Sequence, residues 1–141
     1  GETILFVHGI TTYSFIWRKI VPFFNHYDVI IIDLLGCGES DKPLNEDFSL
    51  KRQSSLLYDF CQKLGITKTH MVCHDVGGGI GQIFAVNYPQ LLQNLILINS
   101  VAYNFWPVQP IVAMRTPIIR QIAMASLDFG MFELIVKRGM Y

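Results

Sequence analysis

Short runs of consecutive apolar, β-branched residues alternate along this chain with stretches where apolar positions recur every three or four residues. The runs are Thr3 to His8 (TILFVH), Asp28 to Asp33 (DVIIID), Thr69 to His74 (THMVCH) and Asn94 to Asn99 (NLILIN). Each reads as a strand, the first two as buried strands. Ser14 to Phe24 has helical spacing, with Phe15, Ile16, Ile20 and Phe23 or Phe24 on one side. Pro22 within it predicts a short or bent helix. Ser49 caps a helix to Leu64 whose inner face is Leu50, Leu57, Phe60, Cys61 and Leu64, and Gly65 stops it. Gly78 to Tyr88 is a further helix, ended ahead of Pro89. This alternation specifies an α/β fold: a mostly parallel sheet with right-handed crossovers and helices on both faces. After Ser100 the alternation stops. Residues 101–141 are rich in Tyr, Phe, Trp, Met and Ile, and Pro107, Pro110 and Pro117 punctuate short helical pieces.

Parallel sheets bind ligands beyond the carboxyl ends of their strands. Chemistry is therefore expected at His8-Gly9, after Asp33, at His74-Asp75 and at Asn99-Ser100. The most specific of these is Cys73-His74-Asp75-Val76-Gly77-Gly78, which joins a strand to a helix through one tight turn. A nucleophile elbow needs that context, because the turn lifts one side chain clear of the sheet. Backbone and helix crowd such a turn, so its neighbours must be small, as Cys73, Gly77 and Gly78 are. The residue presented is Asp75. A carboxylate is ionised near neutral pH and can form a covalent ester by displacement at carbon. Attack at a saturated carbon suits it better than attack at an ester carbonyl, which would give an anhydride. The competing reading is an Asp that only caps the following helix.

The His8-Gly9 turn supports the first reading. Gly9 lets the chain turn sharply, freeing the Ile10 N–H to point into the cleft beside the Val76 N–H. Two backbone donors converging near a nucleophile are what developing negative charge requires.

Composition narrows the picture. Half of the 141 residues are apolar (51%), and Lys plus Arg balances Asp plus Glu at 11 each. No basic face recruits nucleic acid or a membrane surface. Val76 through Met114 carries no charged side chain, but Asn87, Gln90, Gln93, Asn94 and Asn99 recur and prolines break it, which excludes a transmembrane helix. Cys37, Cys61 and Cys73 are odd in number and lack metal-ligand spacing, so reduced thiols, a cytoplasmic location and no metal are expected. Cys37 is read as a spacer near the cleft mouth, and Cys73 as small packing. Asp33 and Asp41 are expected to hydrogen-bond the turns around them.

Phe6-Val7-His8-Gly9, Trp17-Arg18 with Pro22, Asp33-Leu34-Leu35-Gly36-Cys37-Gly38-Glu39-Ser40-Asp41-Lys42-Pro43, and His74-Asp75-Val76-Gly77-Gly78 together resemble the α/β hydrolases. The likeness is greatest to the epoxide hydrolase and haloalkane dehalogenase branch, whose nucleophile is Asp. It implies an α/β-hydrolase fold, truncated: residues 1–100 a partial core with the elbow at 73–78, residues 101–141 the start of a helical cap. It also implies Asp75 as nucleophile, Ile10 and Val76 as backbone donors, and His8, Gly9, His74 and Gly77 as the supporting turns. A small apolar substrate and no cofactor are expected. Dehalogenases hold the leaving halide with a Trp after the nucleophile and an Asn after the His-Gly. Val76 and Ile10 stand there instead. Epoxide hydrolases usually carry a Trp after the Asp as well, but in that group its backbone N–H matters most, which Val76 also supplies, so epoxide opening fits better. Thr11 stands where epoxide hydrolases usually carry proline.

The branch also uses a late His, backed by an acid, to activate water. None of His8, His26, His70 and His74 sits where that base belongs, and Asn99 occupies one position where relatives place the acid. Tyr103 and Tyr141 are candidates for lid tyrosines, against a plain packing role. Both ends of the chain look cut, so the expectation is a front portion able to form the ester without turning it over. A different hydrolase activity (dehalogenase, esterase or C–C hydrolase) and a non-catalytic binding protein or remnant stay open.

Overall fold

The computed structural model describes residues 1–10, 12–103, 112 and 116–126. The chain divides into two compact units, Gly1–Ala102 and Tyr103–Tyr141. The first contains four parallel strands, β1 (Thr3–Val7), β2 (Asp28–Ile32), β3 (Thr69–His74) and β4 (Leu92–Ile98), in the order β2-β1-β3-β4. Leu5 pairs with Ile30 on one side and Met71 on the other, and Val72 pairs with Ile96. The crossing of the chain after β2, to the far side of β1, places the carboxyl ends of β1 and β3 side by side at the centre of the sheet. That is the switch point where ligands bind in such sheets.

Successive strand residues face opposite sides. Ile4, Phe6 and Val72 face one side and pack with Trp17, Ile16, Val21, Phe24 and Val29. The segment doing this is not an α-helix. Ser14–Lys19 and Val21–Phe24 form two 3-10 turns, the second with Pro22 in its opening turn. Pro22 has no N–H to donate, so the chain restarts there instead of running through.

The opposite face carries α1 (Leu50–Lys63) and α2 (Val76–Asn87). The Ser49 hydroxyl caps α1 by accepting the Arg52 N–H at 3.2 Å. Ile80 and Phe84 of α2 are fully buried, and Gly81 lies so close to the sheet that a Cβ there would stand 2.7 Å from the Cys73 sulfur. Tyr58 of α1 stacks on Tyr88 beyond the end of α2, ring centroids 4.1 Å apart. β4 begins at Leu92, two residues before the sequence pattern suggests, and ends at Ile98.

In the second unit, Pro117–Ser126 forms α3, with Ile118, Ile119 and Ile122 exposed. Among the described residues no helix is long and apolar enough to cross a membrane.

Candidate active site at the β3–α2 elbow

Asp75 follows β3 directly and has φ 53 and ψ −120. A positive φ is unfavourable for a residue with a Cβ, and a conformation of this kind persists only when the surroundings hold it. Here the holding is done by the main chain. Asp75 donates its N–H to the Ile98 carbonyl at 3.1 Å, and its own carbonyl accepts the N–H of Gly78 at 3.0 Å and of Val101 at 3.2 Å. α2 begins at Val76, two residues before the sequence pattern suggests, so the helix starts immediately after the turn.

The glycines expected around this turn are explained by contact. A Cβ on Gly77 would collide with the His8 and Val7 carbonyl oxygens, and one on Gly78 with the Ser100 hydroxyl. A Cβ on Gly9 would stand 2.5 Å from the Asp75 Cβ and 2.6 Å from its Oδ2. The β1 turn and the elbow are thus in direct contact, with no room for a methyl group between them.

That contact brings the Ile10 N–H onto the carboxylate, donating to Asp75 Oδ2 at 3.0 Å. The Asp75 side chain makes no capping hydrogen bond to α2, unlike a helix-capping aspartate. Val76 opens α2, where a backbone N–H has no intrahelical acceptor.

Gly9, Ile10 and Val76 line an open cleft of about 300 Å³ together with Leu34, Leu35, Cys37, Pro43, Phe48, Leu50 and Ile80 among others. Cys37 therefore belongs to the cavity wall instead of acting as a spacer. Burial, and then the Asp33 charge, raise its thiol above the ordinary value. Cys73, enclosed beneath the elbow, is pushed up by burial to about 12.

The remaining candidate residues serve the architecture. His8 is fully buried; its Nδ1 lies 2.7 Å from the Gly9 carbonyl and its Nε2 accepts the Leu34 N–H at 3.0 Å. These partners define the tautomer with the proton on Nδ1. His8 thereby ties the β1 turn to the loop after β2. His74 sets its ring edge-on to Trp17, centroids 6.4 Å apart. His70 approaches Glu2 at 3.4 Å and Asn94 at 3.0 Å, at the amino ends of the strands. His26 is exposed.

Asp33 organises the loop after β2. Its Oδ1 accepts the Ser14 N–H at 2.6 Å and its Oδ2 the Glu39 N–H at 2.8 Å. Burial opposes its charge, but these N–H groups outweigh that and hold the carboxyl below its ordinary value. Asp41 contributes its backbone carbonyl, which accepts the Gly36 N–H at 2.9 Å. Asn99, just past β4, has φ 43, a conformation Asn tolerates. Tyr103 is 94% exposed. Tyr141 and Thr11 lie outside the described residues, where the lid and proline comparisons fall. Among the described residues no group of three or more His, Cys, Asp or Glu could hold a metal ion.

Two glutamines escaped the sequence reading. Gln53 exchanges two hydrogen bonds with the Leu35 backbone, at 2.9 and 3.2 Å, fastening the cavity loop to α1. Its position three residues after Leu50 on the inner face was the available signal. Gln82 holds the loop after β4, and no spacing announces it.

The fold and the elbow define a class, and comparison with known proteins agrees. Residues 2–120 match the alpha/beta hydrolase fold family, and the chain belongs to it. It is 32% identical over 115 residues to a cis-3-alkyl-4-alkyloxetan-2-one decarboxylase of Shewanella oneidensis, covering 79% of this chain and 36% of that protein. It is 36% identical to mouse epoxide hydrolase 4 over 98 residues, 68% of this chain and 27% of that one. An alpha/beta hydrolase fold protein from Burkholderia ambifaria superposes with a TM-score of 0.77 at 28% identity, covering 99% of this chain and 51% of its own. The chain thus spans about a third of the length of the curated relatives it matches.

Proposed function

We propose that Asp75 is the covalent nucleophile of an epoxide hydrolase-like enzyme acting on small apolar substrates. The observation that carries this reading is the Ile10 N–H on Asp75 Oδ2 at 3.0 Å, in a turn whose aspartate is held at positive φ yet caps nothing. With Oδ2 engaged, Oδ1 is the oxygen left to attack. It forms a bond to one epoxide carbon, that carbon's bond to the ring oxygen breaks, and the released alkoxide takes a proton from solvent water. The product is a hydroxyalkyl ester on Asp75. Oδ2 is then the ester carbonyl oxygen, and the Ile10 and Val76 N–H groups would stabilise the charge formed on it when water attacks. The apolar cavity wall favours a small apolar substrate. The second unit, read as the start of a helical cap, belongs to the same proposal.

Ester hydrolysis needs a general base. Among the described residues none of the four histidines is hydrogen-bonded to the Asp75 carboxylate, and the covalent adduct is the species that tests the reading. The test is incubation with styrene oxide, followed by intact-mass measurement and peptide mapping. One adduct on Asp75, gaining the mass of the epoxide, is expected, and Asp75→Asn should remain unmodified. Modification at Cys37 alone, or an Asp75→Asn chain labelled as fast as the parent, would refute the reading.

A second reading draws on the likeness to the oxetanone decarboxylase: the electrophile is a four-membered cyclic ester in place of an epoxide. Labelling of Asp75 by β-butyrolactone in preference to styrene oxide would favour it.

A further inference from the structure

We infer that Gln82, on α2, is a positioning residue that aims the Val76 N–H into the cavity by clamping the loop after β4. The inference rests on Asp75 being the nucleophile. The Gln82 side-chain nitrogen lies 2.8 Å from the Val101 carbonyl, 3.0 Å from the Ser100 hydroxyl and 3.2 Å from the Gly78 carbonyl. Two of these partners are carbonyls, so the amide must present its nitrogen to them. Ser100 adds a second tie by donating its hydroxyl to the Val101 carbonyl at 2.9 Å. Gly78, bare of a Cβ, leaves the space that the Ser100 hydroxyl fills.

The clamp matters for what Val101 does on its other side. Its N–H donates to the Asp75 carbonyl at 3.2 Å, joining the Gly78 N–H at 3.0 Å. The Asp75 carbonyl and the Val76 N–H belong to one planar trans peptide and point in opposite directions across it. Fixing the carbonyl toward Val101 and Gly78 therefore fixes the Val76 N–H the other way. Val76 lines the cavity. Without the clamp, Asp75 has one fewer bond opposing relaxation of its positive φ, and its carbonyl is held by the Gly78 N–H alone.

The test compares Gln82→Leu, Gln82→Glu and Ser100→Ala with the parent chain in two measurements. The first is hydrogen exchange at the Val101 amide. The second is the rate of Asp75 labelling by styrene oxide at saturating and half-saturating concentration. Gln82→Leu should speed Val101 exchange by about tenfold or more and slow saturated labelling by about 10- to 100-fold, because a relaxed elbow misplaces the attacking carboxylate. Its half-saturating concentration should change little. Ser100→Ala should move both readouts the same way by less.

Gln82→Glu separates positioning from packing. As a carboxylate it faces carbonyl oxygens and should label as slowly as the Leu variant. Protonated toward pH 4.5 it regains one donor, so its rate relative to the parent should rise while the Leu ratio stays flat. Parent-like Val101 exchange in a folded Gln82→Leu chain overturns the inference, as does a Glu ratio that does not rise with acid. If the parent itself is not labelled at Asp75, the nucleophile proposal fails. The Val101 exchange result then decides the clamp by itself.

Discussion

Gly9→Ala puts one methyl group where the elbow leaves no room. The added Cβ would stand 2.5 Å from the Asp75 Cβ and 2.6 Å from Oδ2, whereas ordinary contact begins at 3.4 Å. Asp75 or the β1 turn must therefore move by about 0.9 Å. A movement of that size breaks the Ile10 N–H bond to Oδ2, now 3.0 Å. Misplacing a reacting group by about 1 Å costs on the order of 10²-fold in rate. Labelling by styrene oxide should therefore slow about 10²-fold, or ~2.7 kcal/mol in barrier. Overpacking should lower stability by about 1–3 kcal/mol in denaturant melts. Gly65→Ala is the control: Gly65 has φ +67 but nothing within 4 Å of a new Cβ, so it should lose stability without slowing the labelling. The argument fails if Gly9→Ala is labelled within about threefold of the parent, or if Gly65→Ala slows equally.

Three further outcomes are expected. His8→Ala removes the acceptor of the Leu34 N–H from a fully buried site, and should destabilise by about 3 kcal/mol or more, read by chemical denaturation. Asp33 has its carboxyl held below the ordinary value, so its contribution is present above the unfolded pKa and lost as pH falls through the folded one. Asp33→Asn should thus cost about 1–3 kcal/mol at pH 7, and the gap to the parent should close in melts taken below pH 4. For the thiols, burial pushes Cys61 to about 11 and Cys73 to about 12, so iodoacetamide at pH 8 should spare both until the chain unfolds. Cys37 should react first, and its modification, lying in the cavity wall, should slow labelling of Asp75.

How much of this was legible in the sequence depended on whether side chains or backbone did the work. The central strands β1 and β3 showed themselves because Leu5, Phe6, Met71 and Cys73 are buried between the two faces, which demands unbroken apolar runs. By contrast β2, read as buried, is an edge strand with Asp28 and Ile31 exposed. The elbow showed itself because its glycines are forced by contact. The same glycines hid the start of α2, since Gly77 and Gly78 are poor helix formers placed there for close approach. Ser14–Lys19 has helical spacing but forms a 3-10 turn, a difference of hydrogen-bond register that apolar periodicity does not encode. Gln82 was illegible for a related reason: its partners are Ser100 and the Val101 carbonyl, 18 and 19 residues away, and any sequence supplies a carbonyl. The Val101 N–H on Asp75 belongs to the same blind spot.

The conformation of the elbow is carried by main-chain atoms: the Asp75 N–H on Ile98, and the Asp75 carbonyl under Gly78 and Val101. The side chain at position 75 contributes nothing to α2 and meets the rest of the core through one backbone donor. Folding and reactivity are therefore separable here, in the way a tool holder is separate from its bit. Asp75→Ser should melt close to the parent while exchanging a carboxylate for a hydroxyl, which needs a base before it can act as a nucleophile. Evolution can change the reaction at this position without renegotiating the scaffold, and one frame can serve lineages whose chemistries have little else in common.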